Sequence, residues 1–294
     1  MTSRALTVEK PGGTTRGMYT LAQGHLTAYQ DVGSGPAIVL LHGLGATGES
    51  YDAIVDALAP RYRLIVPDLL GNGRSAKPVM DYTPAALAEH VLELLAAVQA
   101  GPVQAVVGHS LGACVAVELA SRVGDQAALC LIDPPPPEGS RAAAVLARLA
   151  GSPRFADLGS ALLPTRALAK LWLSYLFADP QRLDDRIIDR YAQAAASRGY
   201  AAATVSSIRG LGKLELPDAA RRSALLVWGA EDPLFPPTGA QAWLARLPRA
   251  SLTVLPACGH CPLEEAPGAV AAALSVFLRE LEKEAPGTGA GRHA

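Results

Sequence analysis

Six short apolar runs, at residues 37–41, 64–66, 103–107, 128–132, 224–228 and 252–255, recur along the chain with helical stretches between them. Gly, Pro or Asp follows each within two residues. A run with no apolar/polar alternation suits a strand covered on both faces, and strands that alternate with helices are joined in parallel. The pattern therefore predicts an α/β fold around a mostly parallel sheet. Residues 25–32 read differently: Leu26, Ala28 and Gln30 alternate with their neighbours before the turn Gly33-Ser34-Gly35-Pro36, which predicts an antiparallel start. With 50% hydrophobic and only 18% charged residues among 294, the chain has enough apolar material to bury both faces of such a sheet.

The best-marked helix opens with Thr83 as N-cap and Pro84 at the first helical position, placing Leu87, Val91, Leu94, Leu95 and Val98 on one face. A second opens after Pro267, with Val270, Leu274, Phe277, Leu278 and Leu281 facing inward. Between Pro134 and Pro217 the strand signal disappears. This stretch begins with four consecutive prolines, which continue neither a ladder nor a helix, and goes on through helical segments such as 183–196. The predicted organisation is an N-terminal extension over 1–20, a core over 21–133 and 218–284, a helical cap over 134–217 and a flexible Gly/Pro/Ala-rich tail over 285–294. Trp172, Tyr175, Phe177 and Tyr191 lie in the cap, where such residues line a pocket or form its core.

The 26 basic and 27 acidic residues leave a formal charge of -1, so no global positive field favours nucleic acid. No apolar run is long enough to cross a membrane, and four cysteines in so long a chain make no disulfide scaffold. These features predict a cytoplasmic protein with no membrane or nucleic-acid partner. They carry no information on oligomeric state.

Chemistry concentrates at three turns. Gly108-His109-Ser110-Leu111-Gly112 lies between the run 103–107 and a helical run over 113–123. Gly108 and Gly112 permit a sharp strand-to-helix turn that lifts the Ser110 hydroxyl above the sheet, and the helix start offers the Leu111 N–H to a developing oxyanion. A hydroxyl nucleophile needs a base. Of six histidines, His25 lies in the early strand, His90 on the capped helix and His293 in the tail, while His109 points away from its neighbour in a sharp turn. His42 and His260 remain, and His260 follows the last run, at the carboxyl edge of the sheet. Asp232, just after 224–228, supplies the third member, with Asp133 after 128–132 as the alternative acid. The chain order Ser110, Asp232, His260 suits a nucleophile–acid–base set.

With His42-Gly43-Leu44-Gly45, Pro67-Asp68-Leu69-Leu70-Gly71-Asn72-Gly73-Arg74-Ser75, the Ser110 turn, the Asp232 turn and the His260 loop in this order, the sequence resembles the α/β-hydrolase superfamily from about residue 21 to 281. The resemblance implies an α/β-hydrolase fold with a mostly parallel eight-stranded sheet flanked by helices, and a helical cap insertion. It also implies a second oxyanion donor at the Leu44 N–H, in a turn supported by His42 and Gly43. Asn72 stands where the family usually has His, Tyr51 where Trp is common, and Ala113 where a second Gly often follows. Since position 110 is Ser and not Asp, alkyl-aspartate chemistry is not expected. The implied activity is cleavage of an ester, thioester or related acyl bond in a small apolar molecule, the small-molecule partner, through an acyl-enzyme on Ser110, with no metal and no cofactor. Carbon–carbon hydrolysis with the same residues, or a non-turnover receptor of the same fold, are the alternatives.

Two other patterns compete. Gly43-Leu44-Gly45-Ala46-Thr47-Gly48 with Asp68 has the form of a dinucleotide-binding unit, but that reading leaves Ser110, Asp232 and His260 unexplained. Cys258-Gly259-His260-Cys261 has redox spacing, yet it follows the last strand, and no second pair of cysteines completes a zinc site. Both thiols are therefore read as packing, as are Cys114 and Cys130.

Overall fold

A computed structural model describes residues 6–9, 15–20, 24–139, 165–212, 214 and 221–284. Among them nine strands form one sheet in the order β1-β2-β3-β5-β4-β6-β7-β8-β9. The strands are β1 (Leu6–Glu9), β2 (Thr15–Thr20), β3 (Leu26–Val32), β4 (Ala37–Leu41), β5 (Arg63–Pro67), β6 (Val103–His109), β7 (Ala128–Ile132), β8 (Ala224–Gly229) and β9 (Ala250–Leu255). The six from β5 to β9 in this order are mutually parallel, whereas β1, β2 and β3 are antiparallel to their neighbours. The expected count of eight is thus corrected to nine. Within residues 1–20, expected as an N-terminal extension, residues 6–9 and 15–20 form β1 and β2, whose backbones continue the ladder beyond β3.

The apolar runs have a simple physical cause. Successive side chains of a strand point to opposite faces, and here both faces are covered. Val39, Leu41, Ile65, Val106, Leu129, Leu131, Leu226 and Trp228 share one core with helices α2 (Pro84–Ala97) and α3 (Leu111–Val123). Ile38, Leu40, Leu64, Val66, Val107, Cys130, Ile132, Leu225 and Val227 share the other with α1 (Asp52–Leu58) and the C-terminal helix over Pro267–Glu284. Thr83 caps α2, its Oγ1 accepting from the Ala86 N–H at 3.1 Å.

Between β7 and β8 the described residues hold α4 (Arg166–Leu176), α5 (Asp185–Ala195) and α6 (Tyr200–Gly210), and no strand. Leu173, Leu176, Phe177, Ile188 and Ala192 form a small core there that includes Cys261, from the loop after β9. Phe177 is buried and Tyr191 packs beside this core, while Trp172 and Tyr175 face outward. The expected tail at 285–294 lies outside the described residues, as do 140–164, 213 and 215–217 of the expected cap. Among the described residues no helix is long and apolar enough to cross a membrane.

Candidate active site

Three strand ends bring the predicted side chains together. β6 ends at His109 and α3 begins at Leu111, so Ser110 alone makes the turn, with φ 53° and ψ −117°, a sparsely populated region for a residue with a Cβ. Gly108 makes the turn possible, because a Cβ there would lie 2.1 Å from the Gly112 carbonyl oxygen. As the first residue of α3, Leu111 carries one of the helix-start amides that have no acceptor within the helix. The β4 turn lies against the same point: a Cβ on Gly43 would be 3.2 Å from Ser110 Cβ.

His260 Nε2 lies 3.1 Å from Ser110 Oγ, and its Nδ1 lies 2.7 Å from Asp232 Oδ2. Since a carboxylate accepts, Nδ1 carries the hydrogen, leaving Nε2 to accept from the serine hydroxyl. Asp232 is fixed from its other side, where Oδ1 accepts from the Leu234 and Phe235 N–H groups at 2.8 and 2.9 Å. The Phe235 ring meets the imidazole edge-on, with centroids 5.3 Å apart. All three members are buried. A hydroxyl, imidazole and carboxylate in this line can move a proton off the hydroxyl as its oxygen attacks an electrophile, the carboxylate steadying the imidazolium that results.

Asp133, the alternative acid, makes a different set of contacts. Its Oδ1 accepts from the Gly229 N–H at 2.8 Å, and its buried Oδ2 has no hydrogen-bond partner. Burial first, and then the nearby charge of Asp232, push the Asp133 carboxyl well above the usual range.

The other histidines serve as struts. His42 donates from Nδ1 to the Gly43 carbonyl at 2.8 Å and accepts at Nε2 from the Leu69 N–H at 2.9 Å, joining the turns after β4 and β5. Burial lowers its pKa, in keeping with that neutral form. His109 donates from Nε2 to the His260 carbonyl at 2.8 Å, a contact the sequence reading missed, and burial followed by His260 lowers its pKa to about 3. His90 pairs with Thr27 Oγ1 at 2.7 Å, and His293 lies outside the described residues.

Asp68, the residue a dinucleotide site would use, instead accepts from the Gly48 N–H at 2.8 Å and the Arg74 N–H at 2.9 Å. Asn72 accepts from the Gly45 N–H at 3.3 Å, and the Tyr51 hydroxyl donates to the Leu41 carbonyl at 3.0 Å, so both departures from the family pattern brace the β4 turn. Cys258 and Cys261 are buried free thiols, and burial raises the pKa of each. Among the described residues His109, Asp133 and His260 bring one ligand atom each within 4.8 Å of one another. A cation there would compete with the bonds His260 makes to Ser110 and Asp232.

A model of the alpha/beta hydrolase family matches residues 38–273. The pimeloyl-[acyl-carrier protein] methyl ester esterase of Xanthomonas campestris pv. campestris is 32% identical over 262 residues, covering 85% of this chain and 98% of the relative. The 2-hydroxy-6-oxo-6-(2'-aminophenyl)hexa-2,4-dienoic acid hydrolase of Metapseudomonas resinovorans is 28% identical over 273 residues, covering 87% and 89%. Among solved structures, a thermophilic esterase from Thermogutta terrifontis superposes with a TM-score of 0.74 at 23% identity, covering 95% of this chain and 99% of that one, a likeness of fold. With a two-faced parallel sheet, a serine on the turn after its central strand and a family match across most of its length, the chain belongs to the α/β hydrolase family.

Proposed function

We propose that the protein is a serine hydrolase that cleaves an ester, thioester or related acyl bond of a small apolar substrate. The observation that carries this reading is the line from Ser110 Oγ through His260 to Asp232, at 3.1 and 2.7 Å. In this mechanism Ser110 attacks the carbonyl while His260 Nε2 takes its proton. The Leu111 and Leu44 N–H groups receive the developing oxyanion, His260 returns the proton to the leaving group, and water then releases the acyl group. Asp232 orients the imidazole, and Asp133 is not the acid. The helices between β7 and β8 form a cap over the substrate.

The esterase relative supports acyl chemistry, while the dienoic acid hydrolase keeps carbon–carbon cleavage as the competing reading. A carbanion leaving group needs a cationic or polar group aimed at a second carbonyl, in addition to the oxyanion donors. Arg74, in the loop after β5, is half exposed and turned to Glu49 Oε1 at 3.7 Å and Asp68 Oδ2 at 3.9 Å, and Arg190 is taken up by Glu264 Oε1 at 2.8 Å. That orientation favours the acyl reading. Purified protein should turn over short p-nitrophenyl esters or acyl thioesters. Cleavage of a vinylogous diketone with no turnover of any ester or thioester would replace the acyl reading, and stoichiometric or negligible product release from every substrate would favour a receptor.

A further inference from the structure

The loop that carries His260 is held by a carboxylate that the mechanism above leaves unused. Glu265, buried in the short helix over Pro262–Glu265, turns back onto the loop. Its Oε1 accepts from the Gly259 N–H at 3.0 Å and from the Cys261 N–H at 3.1 Å. The amide between those two belongs to His260, and it donates to the Leu176 carbonyl, the last residue of α4, at 2.8 Å. The other carboxylate oxygen, Oε2, accepts from the Ala178 N–H at 2.8 Å, two residues further along the same inserted segment. Three consecutive amides on and around His260 are thus satisfied by Glu265 and the insertion, and Glu265 is itself bonded to the insertion.

Neighbouring contacts tighten the same junction. Arg182, from the insertion, donates from Nη2 to the Glu265 carbonyl at 2.5 Å, and Cys261 packs among Leu173, Leu176 and Phe177. On the far side the His260 carbonyl is held by His109. The backbone of His260 is therefore fixed at its N–H by the insertion and at its carbonyl by the sheet. Its imidazole must reach two partners at once, and a misplacement of about 1 Å in such a group costs about 10²-fold in rate.

We propose that Glu265 is a positioning residue that ties the inserted helices to His260, so that segment 176–178 must be seated on the core for the imidazole to face both Ser110 and Asp232. This rests on the reading of Ser110 as nucleophile. Under it, a substrate that shifts the insertion also shifts the base.

The bridge can be cut from either end. A carboxylate offers acceptors on both oxygens, whereas Glu265→Gln offers one acceptor and one donor, so it loses either the loop amides or Ala178. Ala178→Pro removes the Ala178 N–H and puts the ring Cδ in its place against Glu265 Oε2, which breaks the bridge from the other end, and the preceding residue, Phe177, already has the extended φ −76° and ψ 141° that proline favours before it. In the full chain, with p-nitrophenyl acetate, each variant should lose roughly 10- to 100-fold in kcat with KM within about twofold. Because both cut one bridge, the double variant should lose no more than the worse single. Amide exchange in the peptide around residues 257–262 should quicken in each.

An unchanged kcat in folded Ala178→Pro, or a double variant whose losses multiply, would overturn the proposal. If Glu265→Gln fails to fold, Ala178→Pro decides alone. A wild type that neither turns over esters nor takes up a fluorophosphonate would instead be a failure of the nucleophile reading, and loop exchange would still report on Glu265: unchanged exchange in the variants would end the proposal.

Discussion

Asp232 and Asp133 follow adjacent strands and are both buried, yet their oxygens are used differently. Asp232 takes two amides on one oxygen and offers the other to His260, while Asp133 takes a single amide and leaves an oxygen unpaired. Under the proposed mechanism Asp232→Asn should lose about 10³–10⁴ in kcat, because the imidazole loses the acceptor that sets its tautomer. Asp133→Asn should lose less than about tenfold. Steady-state kinetics on one ester decides this, and the reverse order would move the acid to β7. From the sequence both aspartates looked equivalent, each following an apolar run, and only chain order favoured Asp232. Ser110 was legible because its glycines and flanking elements are local. The bonds of His109 and Glu265 were not, since they run to backbone atoms of the His260 loop and of the inserted segment after α4, and no residue type at a fixed spacing announces such a partner.

At the level of elements, the insertion is bound to the core by charge as well as by backbone. Arg190 on α5 reaches Glu264 beside the His260 loop at 2.8 Å, and the glutamate side chain is only 4% exposed. Burial pushes the Glu264 carboxyl up, and Arg190 opposes this by favouring its charged form. Removing Arg190 takes the cation away from a buried carboxylate and leaves it hydroxyl partners such as Tyr191, so Arg190→Ala should destabilise by about 3 kcal/mol, while the paired change Arg190→Met with Glu264→Leu should cost far less. Urea unfolding checks both, and equal losses would mean the contact is made of packing alone. The parallel strands could be read from the sequence because burial on both faces writes an unbroken apolar run. β1 and β2 could not. Leu6–Glu9 is four residues long, and Thr15–Thr20 mixes Thr, Arg, Gly, Met and Tyr without a clear period, so only the pairing with β3 identifies them as part of the sheet.

For the whole molecule, three buried histidines set the response to acid. His109, held to about 3, His90, held to about 4, and His42, also lowered, all resist a proton that the unfolded chain accepts near pH 6.5. Between those values unfolding takes up protons, so stability is present above about pH 6.5 and falls as pH drops toward 4. The slope is at most about 1.4 kcal/mol per pH unit for each histidine. Asp133 works in the opposite sense, since its raised pKa keeps a proton in the folded state that the unfolded chain releases. Denaturant unfolding at pH 6.5 and pH 5 should therefore show a loss of stability that is smaller in His90→Asn, and identical slopes for wild type and variant would contradict the assignment. The same fold that excludes protons from these rings leaves Ser110 on its turn at the carboxyl end of the central strand, in line with His260. The most direct test of that arrangement is reaction of the intact protein with a fluorophosphonate, followed by mass analysis of the whole chain and of its peptides. One probe mass on Ser110, absent in Ser110→Ala and strongly slowed in His260→Ala, is the predicted result; labelling at another residue, or none at all in folded wild type, would contradict it.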